Sequence, residues 1–82
     1  MLTEQIKFLI EKHLPQSTVM VEGEDGQHFQ ATIICADFSE KNLLTRQRMV
    51  YQALGEHIKD GTIHALSLKT YTFQEWEALN HE

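Results

Sequence analysis

The chain is poor in cysteine, proline, glycine and positive charge, holding one, one, four and seven such residues in 82. A single thiol, Cys35, can neither close an internal disulfide nor build a cysteine cage around a metal. No Pro/Gly/Ser-rich linker, repeat or low-complexity tract divides the sequence, so residues 1–82 read as one domain. No apolar run approaches the roughly 18 residues that a membrane span needs. The opening Met1–Ile6 does not have the make-up of a secretory signal, so a cytoplasmic chain is expected. Twelve acidic residues outweigh the basic ones and leave a net charge of −5, a field that opposes approach to phosphate backbones. What is present, 41% apolar and 23% charged residues, is the composition of a globular domain and excludes a disordered tail, a collagen-like rod and a coiled coil.

Periodicity then places the elements. Leu2, Ile6, Leu9, Ile10 and Leu14 recur at helical spacing, with Thr3 as the expected N-cap and Pro15 as the stop. Thr18 to Glu22 alternates as a strand, Asp25-Gly26 signals a hairpin turn, and a return strand runs from Gln27 to about Ala36. Phe29, Ala31, Ile33 and Cys35 take its core face, so His28 is expected to point away from the core. A short helical turn opened by Ser39 is expected in the connection that follows. A long helix then extends to about Lys59 with Val50, Ala53, Leu54 and Ile58 inward. Thr62 to Thr70 reads as a third strand, its facing left open between Ile63/Ala65 and Leu66/Leu68. Thr72-Phe73-Gln74-Glu75 is a capping box for a last helix that turns Trp76 and Leu79 inward. Because a helix links strands two and three, those strands are expected to run parallel. The class is α+β, a three-stranded mixed sheet with helices packed on one face.

Few residues point to chemistry. Ser17, Ser39 and Ser67 lack a nucleophile motif, and no P-loop or dinucleotide fingerprint occurs, which argues against an enzyme. Cys35 falls on the core face, where a thiol packs as a small apolar group. Gly23-Glu24-Asp25-Gly26 has the spacing of a GxxG nucleic-acid clamp, but its acidic residues repel phosphate and a tight turn explains it. Lys41, Arg46, Arg48 and Lys69 are basic, yet Arg46 and Arg48 are two apart on a helix and do not share a face. Among the five histidines, His13 and His57 suit helix C-termini and His81 lies beside the last residue. His28 and His64 each open a strand, and parallel pairing of those strands brings both to one end of the sheet. Two imidazoles are too few for a closed four-ligand site, so a metal held there needs donors from a second molecule. Two unrelated surface histidines are the competing reading.

The run Arg46-Gln47-Arg48-Met49-Val50-Tyr51, then Thr62-Ile63-His64-Ala65-Leu66-Ser67-Leu68-Lys69-Thr70-Tyr71-Thr72, then Glu75-Trp76, resembles the BolA family. With the short Asp25-Gly26-Gln27-His28-Phe29 hairpin it looks most like the bacterial YrbA/IbaG-type branch, some of whose members act in stress responses. The resemblance implies an αββααβα fold related to the type II KH domain, the extra short helix falling at Ser39–Leu43. It implies a non-enzymatic partner of monothiol, CGFS-type glutaredoxins. In such pairs a [2Fe–2S] cluster is bridged by the glutaredoxin cysteine, a glutathione thiolate and two ligands of the BolA protein. The strand ligand matches His64 and the loop ligand matches His28. No cluster is expected on the isolated protein. Where many members carry glycine and a longer hydrophilic turn, this chain has Phe38-Ser39-Glu40-Lys41-Asn42-Leu43. The family's other proposed role, a DNA-binding transcriptional regulator using the KH-like surface, is the alternative. The net charge and the acidic 23–26 loop make nucleic-acid binding weak at most.

Overall fold

The computed structural model describes residues 2–23, 25, 28–59 and 65–80. Helix α1 spans Thr3–His13, strand β1 Ser17–Glu22, strand β2 His28–Cys35, helix α2 Leu43–Lys59, strand β3 Ala65–Tyr71 and helix α3 Phe73–Asn80; a 3-10 turn at Ala36–Phe38 lies between β2 and α2. The sheet order is β1-β2-β3. β1 and β2 are antiparallel, with Val19 opposite Ile33 and Glu22 opposite Gln30. β2 and β3 are parallel, as the helical crossover requires, with His28 level with Ala65 and Ile34 level with Tyr71.

One core fills the space between the sheet and the first two helices. Ile6, Ile10 and Leu14 of α1 and Val50 and Leu54 of α2 meet Val19, Phe29, Ala31, Ile33 and Cys35 of the sheet, with Phe38 closing one end. Leu66 and Leu68 join this cluster and Thr70 is buried, which settles the facing of β3 in favour of the even positions. Positions 62–64, where this strand was expected to open, lie outside the described residues.

Local details depart from expectation in five places. Leu2, not Thr3, caps α1: the Gln5 side chain reaches back to accept the Leu2 N–H at 2.8 Å, and Leu2 stays exposed. The short helical turn precedes Ser39 instead of following it. Asn42 then opens α2, its Oδ1 accepting the Thr45 N–H at 2.9 Å. Ile58 is 37% exposed and stands outside the buried cluster, which on α2 ends at Leu54. Leu79 is 63% exposed, since α3 packs only its first turns.

The fifth departure concerns the layers. α1 and α2 cover one face as expected, but α3 does not join them. Tyr71 shares a face with Ile34, opposite to Ile33 and Thr70, and Trp76 of α3 packs against Tyr71 in a tilted arrangement, the ring centroids 5.4 Å apart. Ile34 is buried yet outside the main cluster, so α3 caps the far face at the C-terminal ends of β2 and β3. Among the described residues, no helix covers the N-terminal end of that face, which carries His28.

Candidate functional site

The hairpin end of the sheet is built by two constraints. Gly23 leaves β1 against the return strand so closely that a Cβ there would collide with the Phe29 ring and lie 2.9 Å from the His28 carbonyl oxygen. Only a residue without a side chain permits that approach. Across the turn Asp25 grips His28 twice: Oδ1 accepts the His28 backbone N–H at 2.8 Å, and Oδ2 lies 2.6 Å from Nδ1 of the ring. A carboxylate can only accept, so a neutral imidazole in this contact carries its proton on Nδ1. Nε2 is then the nitrogen with a lone pair, on a side chain 68% exposed.

His28 points away from the core, as the pleat requires. Its neighbours on the same face are polar: Glu22 pairs with Gln30, and Gln30 with Ser67. These residues, with Gly23, Asp25, His28 and Phe29, line a shallow open cleft. His64 lies outside the described residues, but it directly precedes Ala65, which stands level with His28 in the parallel register. Among the described residues no three His, Cys, Asp or Glu side chains come together as a metal site. One exposed imidazole on a rim, with its second nitrogen already held, is the donor arrangement that suits a metal completed by other donors.

The remaining candidates are placed elsewhere. His13 and His57 sit in the last turns of α1 and α2, and His81 is outside the described residues. Cys35 is fully buried, and burial, reinforced by the charge of Asp37, pushes its thiol pKa up, so it carries no nucleophile.

Arg46 is not part of a free basic patch. Its guanidinium donates to Glu75 at 2.7 and 3.2 Å and to the Lys41 carbonyl at 2.8 Å, and it lies 5.8 Å from the Phe38 ring centre. Glu75 also accepts the Thr72 N–H at 2.8 Å, while its own N–H donates to Thr72 Oγ1 at 3.1 Å, so the expected capping box forms. Hydrogen bonding to Arg46, then to the Thr72 backbone, draws the Glu75 pKa from the ordinary 4.5 to about 2. Arg46 and Glu75 thus form one clamp that ties α2 to α3. Sequence reasoning did not find it, because the partners are 29 residues apart.

Comparison with known proteins agrees with this architecture. A family model described as BolA-like protein matches residues 5–75. A BolA protein homologue from Coxiella burnetii superposes with a TM-score of 0.84 at 50% identity, covering 94% of this chain and 97% of that one. The acid stress protein IbaG of Escherichia coli is 38% identical over 72 residues, 88% of this chain and 84% of its own length. The DNA-binding transcriptional regulator BolA of the same organism is 42% identical over 52 residues, 63% of this chain and 49% of its own.

Proposed function

The chain belongs to the BolA-like protein family, and from that premise we propose that it is a non-enzymatic partner of a monothiol, CGFS-type glutaredoxin, with which it shares a bridging [2Fe–2S] cluster in iron–sulfur trafficking or iron sensing. The cluster is cargo of the pair. His28 and His64 are the ligands from this side, and the glutaredoxin cysteine and its bound glutathione supply thiolates from the other. The observation that carries the reading is His28 itself, an exposed imidazole at the hairpin end of the sheet, aligned with the residue after His64. Imidazole in place of thiolate raises the potential of such a cluster, as in Rieske centres, and as a neutral donor leaves the cluster with less negative charge. Both properties suit transfer or sensing better than permanent storage.

The competing reading, DNA binding, draws on the name that two relatives share, that of the DNA-binding transcriptional regulator BolA. It is disfavoured by the net charge of −5 and by the commitment of Arg46 to Glu75. The deciding experiment mixes the protein with a cluster-loaded CGFS glutaredoxin and follows visible absorption. A new spectrum that saturates at one molecule of each supports the proposal; an unchanged spectrum at excess protein refutes it.

A further inference from the structure

Asp25 occupies the position in the turn where an acidic residue before glycine is explained by hairpin geometry alone. The structure gives it more to do. A turn needs only Oδ1 on the His28 backbone N–H, at 2.8 Å; it does not need Oδ2 on the ring, at 2.6 Å. One carboxylate therefore holds both the backbone and the side chain of the same histidine. We infer that Asp25 is a positioning residue for His28: its carboxylate fixes the imidazole as the Nδ1–H tautomer and presents Nε2 outward as the metal-donor nitrogen.

Free imidazole side chains in water carry the proton on either nitrogen, so an unheld His28 would offer a metal a mixture of donors and ring orientations. Ligating histidines are commonly steadied by a carboxylate on the second nitrogen, which fixes the tautomer and raises the basicity of the donor. Here that carboxylate is three residues from the histidine and within the same turn, so the two are set together when the hairpin closes. The ligand role of His28 rests on the function proposed above; the tautomer does not, and the test separates them.

The first measurement is a long-range proton–nitrogen correlation spectrum of the labelled, metal-free protein, recorded in alkaline buffer so that the neutral imidazole is observed. The His28 signal, assigned by its loss in His28→Ala, is expected to show a protonated Nδ1 and a bare Nε2. Asp25→Asn keeps an oxygen for the backbone N–H but turns an amide N–H toward the ring. It is expected to move the proton to Nε2. In complex with cluster-loaded glutaredoxin, the same variant is expected to weaken cluster sharing by about 10–100-fold, the usual range for losing such a partner. A wild-type His28 with its proton on Nε2, or a tautomer unmoved by Asp25→Asn, overturns the inference without any complex. If His28→Ala destroys sharing and Asp25→Asn leaves it intact, the positioning role is wrong and the ligand stands. If His28→Ala leaves sharing intact, the ligand assignment falls, and with it the role of Asp25 toward a metal.

Discussion

Single residues carry more of this molecule than their types suggest. Glu75 caps α3 and anchors Arg46, and the ion pair keeps its carboxyl pKa near 2 against an ordinary 4.5. A depressed carboxyl pKa stabilises the fold above the ordinary value, and the contribution disappears as pH falls through the interval down to about 2. Glu75→Gln is therefore expected to be less stable than the parent at about pH 6, with the two converging as the pH approaches 2; chemical denaturation across that range measures it. Glu40 is the one non-glycine residue with positive φ among those described, at 64°. Left-handed backbone costs a side-chain-bearing residue about 1–2 kcal/mol, partly offset by the greater unfolded freedom of glycine. Glu40→Gly is expected to raise stability by up to about 1 kcal/mol, read from the denaturation midpoint at constant slope.

Elements show how far local pattern reaches. The stripe of α1, the alternation of β2 and the capping box of α3 are local signals, and each was readable because its cause lies within a few residues. The placing of α3 was not. Trp76 and Leu79 look inward-facing by spacing alone, but the helix leaves β3 after Tyr71, whose side chain faces away from the main core. Its direction is set by strand parity at that exit, and Leu79 ends in solvent. At the hairpin, the antiparallel return of β2 on β1 and the outward facing of His28 were legible, whereas the grip of Asp25 on the ring depends on side-chain geometry that spacing does not encode. Gly23 belongs to the same element. Gly23→Ala is expected to destabilise by about 1–3 kcal/mol, as other overpacked sites do, and to disorder the site as well as the strand. Thermal denaturation measures the first, and broadening of the His28 ring signals the second.

At the scale of the whole molecule, surface charge and the exposed His28 end of the sheet bear on the choice of partner. A net charge of −5, with Arg46 held by Glu75, leaves few cations to neutralise phosphates. Binding to duplex DNA is expected to be weak and sequence-independent, with a shallow salt slope of roughly −0.9 per phosphate contact, and negligible at about 150 mM salt. Fluorescence anisotropy with a specific and a scrambled duplex checks it, and tight, discriminating binding would favour the regulator instead. The central claim is that His64 and His28 together hold one side of a shared cluster. Visible circular dichroism of cluster-loaded CGFS glutaredoxin, titrated with the parent protein, His28→Ala or His64→Ala, tests it most directly, with far-ultraviolet spectra checking that each variant is folded. The account predicts a new visible spectrum complete at a 1:1 ratio for the parent, a weakened and altered one for His28→Ala, and none for folded His64→Ala. A folded His64→Ala that yields the parent spectrum would contradict it.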